Sequence, residues 1–209
     1  MQVIALSGSP RKDGNTHAAL SYMADILKTN GIDTEIIHIG NKPIQGCTAC
    51  GACFKPEAKG CIFNDDSVNE TVAKMQAADG FILGSPTYWG GIAGSFKAYL
   101  DRLFYSSFGK GFAGKVAGLA VAARRSGGED VVHQLTNYLM LAQAILAPSR
   151  YWALAHGLQK GQVLQDEEGL QILREHANNM AWLMQALSAS TAIVARPVAE
   201  AKVMTNFVR

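Results

Sequence analysis

Cys47, Cys50, Cys53 and Cys61 are the only cysteines in this 209-residue sequence. Two residues separate the first from the second and the second from the third, and seven separate the third from the fourth. The spacers Thr48-Ala49 and Gly51-Ala52 are small. Three thiolates set two residues apart in such a loop can wrap one face of a cubane iron-sulfur cluster. A fourth, a short loop away, can close it. Zinc also takes thiolates, but zinc ribbons usually pair two Cys-x-x-Cys arms across a longer span, so the triplet suits zinc less well. Four bare thiols are the third option. Disulfides are disfavoured, because secreted frameworks spread their cysteines along the chain and close neighbours make strained pairs.

A second set of groups suits a phosphate. The segment Ser7-Gly8-Ser9-Pro10-Arg11-Lys12-Asp13-Gly14-Asn15-Thr16 follows an apolar run and precedes a helical pattern. A helix amino end presents free N–H groups and a positive dipole to an anion. Ser7, Ser9 and Thr16 add hydroxyls, Asn15 an amide and Arg11 a charge, while Gly8 and Gly14 allow close approach of the backbone. The spacing matches neither the Walker A loop nor the dinucleotide Gly-x-Gly-x-x-Gly, which disfavours an ATPase and a Rossmann dehydrogenase. A plain capped helix start is the simpler alternative. Two more loops stand out: Pro86-Thr87-Tyr88-Trp89-Gly90-Gly91 and Ala123-Arg124-Arg125-Ser126-Gly127-Gly128. The first joins aromatics to flexible backbone, and the second joins charge to flexible backbone.

These loops need elements to hold them. Val3–Leu6, Thr34–Ile39, Phe81–Gly84, Val116–Ala123 and Tyr151–Ala155 read as strands. Helical spacing covers roughly 18–27, then Ser67–Ala78, the stretch around Phe96, Tyr99, Leu100 and Leu103, Glu129–Leu146 and Glu167–Leu187. Alternating helices and strands with no wet face predict an α/β fold with a doubly wound, five-stranded parallel sheet. Ligands bind such sheets beyond the carboxyl ends of the strands. The three loops follow Leu6, Gly84 and Ala123, so they are expected to converge there. The domain is expected to span 1–190, with a cysteine-rich segment at 46–66 and a tail at 191–209 that could cross to another subunit. Hydrophobic residues at 48% and charged residues at 17% give a globular balance, and a net charge of +2 gives no electrostatic grip on nucleic acid. No apolar run approaches the roughly 20 residues of a membrane helix. The N-terminus lacks a basic leader region, so a cytoplasmic protein is expected.

Taken together, the loops resemble those of the flavodoxin-like NAD(P)H-dependent FMN reductase superfamily. The likeness rests on Gly8-Ser9-Pro10-Arg11 with Gly14-Asn15-Thr16, on Gly84-Ser85-Pro86-Thr87-Tyr88-Trp89-Gly90, and on Gly127-Gly128. The cysteine segment after the second strand is similar to that of the iron-sulfur flavoproteins within it, and Asp65-Asp66 fits the wider pattern. The resemblance implies strand order 2-1-3-4-5 with a cysteine-rich insertion after strand 2. It implies FMN, with Ser9, Arg11, Gly14, Asn15 and Thr16 at the phosphate. Pro86, Thr87, Tyr88, Trp89 and Gly90 would lie against the ring, and Arg124, Gly127 and Gly128 at its pyrimidine side. It implies a 4Fe-4S cluster on Cys47, Cys50, Cys53 and Cys61. Electrons would pass between a one-electron donor such as ferredoxin and an acceptor, with no acid–base catalytic residue. The alternative is an NAD(P)H-dependent FMN or quinone reductase without a cluster, and a thiol-based redox sensor is a third reading. A homodimer or homotetramer is implied, with no nucleic-acid or membrane partner.

Overall fold

The computed structural model describes residues 1–107, 110–201, 203 and 205. Part of the expected tail, residues 202, 204 and 206–209, lies outside the described residues. The chain begins with β1 (Gln2–Ser7), α1 (Asn15–Thr29) and β2 (Asp33–His38). After a long irregular segment come α2 (Val68–Ala77), β3 (Gly80–Tyr88), β4 (Gly91–Ile92) and α3 (Gly94–Ser107). Then follow β5 (Val116–Ala123), α4 (Gly128–Leu141), β6 (Ile145–Leu146), β7 (Leu154–His156) and α5 (Glu167–Ser190).

The sheet is built on β1, β3 and β5, whose apolar side chains are buried on both faces. That is why they read as unbroken apolar runs rather than as alternating ones. The sheet path is β2-β1-β3-β5-β6, parallel throughout. Helices α1 and α5 pack together on one face, with α1 against β1, β3 and β5. Helices α2 and α3 pack on each other, and α4 lies along β5 and the β3–β4 hairpin.

The expectation of five strands in order 2-1-3-4-5 is corrected here: among the described residues the sheet has seven. One extra strand, β4, folds back antiparallel on β3. The other arises because the last position is divided. β6 pairs with Val116 and Ala117, and β7 pairs with Val121 to Ala123 on the same edge of β5. The division also shortens the helix expected over Glu129–Leu146. Helix α4 stops at Leu141, Gln143 takes a left-handed φ of 56°, and Ile145 re-enters the sheet. No glycine or proline marks that break, and the apolar run continues through it, so the helical period hid it.

The gap between β6 and β7 leaves the Leu119 N–H without a strand partner. The buried His176 of α5 fills the vacancy, its Nε2 accepting from Leu119 N at 2.9 Å. A buried amide left unmade would cost about 1–3 kcal/mol. This polar plug explains why an otherwise apolar helix face carries a histidine. Burial drives its pKa down to about 4, so the ring is neutral and its Nδ1 carries the proton, facing the Pro148 carbonyl at 3.4 Å.

Candidate functional site

Two close approaches draw the first loop to its neighbours. Gly8 N donates to the Gly84 carbonyl at 2.8 Å, tying the loop to β3. A Cβ on Gly8 would stand 2.1 Å from Phe96 Cγ, so only glycine lets α3 pack there. The loop then delivers an open helix end. Gly14 caps α1 with extended backbone and no side-chain hydrogen bond, and the first turn holds no acid. Helix α5 shows the usual alternative: Asp166 accepts from Gly169 N at 3.0 Å, and Glu167 and Glu168 follow it. The amino end of α1 thus keeps its orphan N–H groups and its positive dipole.

The expected phosphate residues divide by role. Ser9 is buried and its Oγ accepts from Arg11 N at 3.1 Å, which shapes the turn. Thr16 Oγ1 and Ser7 Oγ are buried, and neither has a partner among the described residues. Arg11 and Gly14 line an open recess with Lys12, Asp13, Asn15 and Lys160. Asn15, however, spends its side chain elsewhere. Its Nδ2 donates to the Gly157 carbonyl at 2.8 Å, and its Oδ1 accepts from Val163 N at 3.4 Å. Its amide thus braces the loop after β7 while the residue still lines the recess. That loop also brings Lys160, which pairs with Asp13 at 3.1 Å. Lys160 is absent from the sequence-based set, and its bracketing glycines, Gly157 and Gly161, are the only local sign of it.

The second loop is a hairpin. Strand β3 runs on through Pro86 to Tyr88, and β4 returns, pairing Thr87 with Ile92 and Tyr88 with Gly91. Trp89 and Gly90 form the two-residue turn with φ of 51° and 71°. A two-residue hairpin needs positive φ at both positions, which glycine takes freely and tryptophan does not. Trp89 is nonetheless fully exposed at the tip. From α4, Gln134 Oε1 accepts from Ile92 N at 3.2 Å and steadies the turn. Thr87 Oγ1 is another buried hydroxyl with no partner among the described residues.

The third loop meets this hairpin. Gly127 has φ of 83°, and a Cβ there would lie 3.2 Å from Gly90 Cα. Gly128 opens α4, where a Cβ would stand 2.4 Å from Leu154 Cδ1. Arg124 and Arg125 are exposed and make no ion pair among the described residues. The three loops therefore meet at one end of the sheet, through Gly8 on Gly84 and Gly127 on Gly90.

The cysteines lie between β2 and α2. The segment has positive φ at Ala49, Gly51 and Gly60 and a short 3₁₀ turn at Ala52–Phe54. All four cysteines line one recess, with Ile62, Phe63, Arg102 and Tyr105 completing it. Cys47 and Cys50 are exposed and Cys53 and Cys61 half-buried, and all four are free thiols. Burial pushes the Cys53 thiol up, and the nearby Cys50, Cys61 and Cys47 add to the shift. Among the described residues, no three His, Cys, Asp or Glu side chains are gathered closely enough for a metal ion.

Arg102, on α3, is also missing from the sequence-based set. It is 1% exposed yet carries a full charge. Its Nε donates to Cys61 Sγ at 3.3 Å, and its terminal nitrogens donate to the carbonyls of Gln45 and Phe63 at 3.2 and 3.1 Å and to Asp66. Burial works against the cation, but the bonds to Asp66 and Cys61 outweigh it and hold its pKa above the ordinary value. Asp66 also accepts from Val68 N at 3.1 Å at the start of α2, whereas Asp65 is exposed.

Residues 1–159 match the family model described as NADPH-dependent FMN reductase. An iron-sulfur flavoprotein of Methanocaldococcus jannaschii is 34% identical over 194 residues, covering 90% of this chain and 99% of that protein. An iron-sulfur flavoprotein of Methanosarcina thermophila is 28% identical over 192 residues, covering 90% of this chain and 97% of that one. Among solved structures, a flavodoxin from the domain Archaea superposes with a TM-score of 0.57 at 13% identity, over 88% of this chain and 99% of that chain.

Proposed function

Since the chain belongs to the NADPH-dependent FMN reductase family, among its iron-sulfur flavoproteins, we propose that this flavin-dependent oxidoreductase is a two-cofactor electron carrier. It would use FMN and a 4Fe-4S cluster to move electrons between a one-electron donor, such as a ferredoxin, and an acceptor. The observation that carries the reading is the single recess lined by all four cysteines, in a chain whose three carboxyl-end loops converge.

The donor chemistry of the residues present suits both groups, although among the described residues the thiols stand around a recess and are not drawn together into a closed metal-binding set. The uncapped amino end of α1, the unpartnered hydroxyls of Ser7 and Thr16, and Arg11 would hold the phosphate of FMN. Ser9 fixes the turn, and Lys160 adds a second cation at the rim. The hairpin from Pro86 to Gly90 would lie along the ring, with backbone N–H groups and Thr87 Oγ1 available to its polar edge. Gly127 and Gly128 let the third loop approach, and Arg124 brings positive charge to the pyrimidine side. Cys47, Cys50, Cys53 and Cys61 offer an all-thiolate set, and soft sulfur donors suit an iron-sulfur cluster. FMN exchanges electrons in pairs or singly and the cluster singly, so the two together match donors of different stoichiometry. No proton-moving residue is required of the chain.

The family's NADPH-dependent reductases give a second reading, a flavin or quinone reductase without a cluster. It is favoured by the fully exposed Trp89 beside the loops, which leaves an open surface there for a nicotinamide. Anaerobic purification followed by a visible spectrum and iron and sulfide assays separates the two. About four irons and four sulfides per chain beside one FMN is the expected result. A yellow, iron-free protein bleached by NADPH would instead establish the reductase, and a colourless protein that takes up no FMN would sink both.

A further inference from the structure

A charge buried as deeply as that of Arg102 is strongly unfavourable unless it is fully paired. Here every donor is spent. A guanidinium has five N–H groups, and Arg102 makes five side-chain bonds: to Cys61 Sγ, to the Gln45 and Phe63 carbonyls, and two to Asp66. Its face also stacks on the Phe63 ring, 5.1 Å from the centroid. Gln45 stands two residues before the first cysteine, while Phe63 and Asp66 stand just after the last. One side chain on a rigid helix therefore ties together both ends of an irregular segment. Asn69 adds a second hold on Cys61, accepting from its N–H at 2.8 Å and donating to its carbonyl at 2.9 Å.

The four thiols are thus unequal. Among the described residues, Cys61 is the one whose sulfur accepts from a cationic side chain. Cys47 and Cys50 stay exposed. A hydrogen bond and a positive charge at a sulfur favour the more negative state of whatever the sulfur binds. In iron-sulfur sites they raise the reduction potential. The two effects belong to one residue, because the bond that fixes the Cys61 sulfur is also the one that brings it charge.

We propose that Arg102 is the positioning residue of the cysteine site: it presets Cys61 as the fourth ligand, closes the segment at both ends, and raises the potential of the bound cluster. The proposal rests on the reading that the four cysteines hold a cluster. It assigns Asp66 the task of keeping the buried guanidinium oriented.

Full-length wild type, Arg102→Gln and Arg102→Lys, all purified anaerobically, provide the test. Far-UV circular dichroism and FMN content check the fold. Iron loss to a chelator and the midpoint potential from a spectroscopic redox titration are the readouts. Arg102→Gln is expected to hold iron roughly 10- to 100-fold more weakly against the chelator, the range for a lost outer-sphere partner. Its midpoint should move to more negative values, and Arg102→Lys, which keeps the charge without the fork, should fall between. Wild-type iron retention and midpoint in Arg102→Gln would overturn the proposal while the cluster reading stood. If Arg102→Gln fails to fold, Arg102→Lys decides alone: a wild-type midpoint there overturns the tuning role and a lowered one upholds it. An iron-free wild type would overturn the underlying reading itself.

Discussion

Among the described residues, the hydroxyls of Ser7, Thr16 and Thr87 are buried without partners, as are Nδ1 of His17 in the same helical turn as Thr16 and the Thr34 hydroxyl at the other end of the sheet. An unmade buried hydroxyl costs about 1–3 kcal/mol. Three such groups at the carboxyl edge of one sheet are hard to explain as packing. A bound phosphate would satisfy Ser7 and Thr16, and the polar edge of a ring would satisfy Thr87; hydrogen bonds to charge are about twice as strong as neutral ones. Thr16→Val separates the two accounts. It keeps the shape and removes the oxygen, so the flavin-free protein should unfold at the same urea concentration or a higher one. FMN affinity, followed by fluorescence quenching, should fall about tenfold or more, the equivalent of 1.4 kcal/mol per decade. An unchanged affinity would remove Thr16 from the site. Residues like these were legible because their loops sit between a strand and a helix. Arg102 was not. Within Leu100-Asp101-Arg102-Leu103 it reads as the solvent side of a helix, since arginine is rarely buried. Its partners, from Gln45 to Asp66, lie far away along the chain. Lys160 was hidden for the same reason, because nothing local pairs it with Asp13.

At the scale of elements, the apolar runs Val3–Leu6 and Val116–Ala123 gave away their strands, because burial on both faces leaves no alternation to misread. The divided last position was harder. Strands of two and three residues carry too little pattern to announce themselves, and Gln143 breaks α4 without a breaker residue. His176 is the consequence, and it makes the junction sensitive to acid. Its pKa is about 4 folded against 6.5 unfolded, so the unfolded chain binds the extra proton between those values. Stability is therefore fully present above pH 6.5 and is lost as pH falls toward 4, by on the order of 3 kcal/mol. Urea unfolding at pH 7 and pH 5 should show the loss in wild type and a smaller one in His176→Leu. That variant starts less stable because the Leu119 N–H is left unmade. Equal pH dependence in the two proteins would refute the role. The close approach of the first loop to α3 gives a companion expectation. Gly8→Ala places a methyl against Phe96 and should cost about 1–3 kcal/mol, read as a lower urea midpoint.

For the molecule as a whole, several large apolar side chains stand exposed in the C-terminal half. Met140 and Leu141 at the end of α4 are 74% and 86% exposed, and Trp182 on α5 is 64% exposed. Beyond α5, Ile193 and Val194 are also exposed, and Arg196 reaches back to donate to the Ala113 carbonyl at 3.1 Å. Tyr151 and Trp152 stack edge to face at 4.5 Å on an exposed turn. Contiguous exposed apolar patches mark association surfaces, and the adjacent pairs Met140–Leu141 and Ile193–Val194 and the stacked Tyr151–Trp152 are the candidates for such patches. With a net charge of +2, the chain offers little electrostatic repulsion against self-association. A dimer or tetramer is therefore expected at micromolar concentration, measured by light scattering coupled to size exclusion. Leu141→Glu and Trp182→Glu test different faces, since α4 and α5 cover opposite sides of the sheet. The substitution that lies in an interface should lower the measured mass in steps, from tetramer to dimer or from dimer to monomer, without changing the far-UV spectrum. If both do so, each chain uses at least two separate patches in its assembly. A monomeric wild type would refute the expectation outright and leave those side chains for another partner.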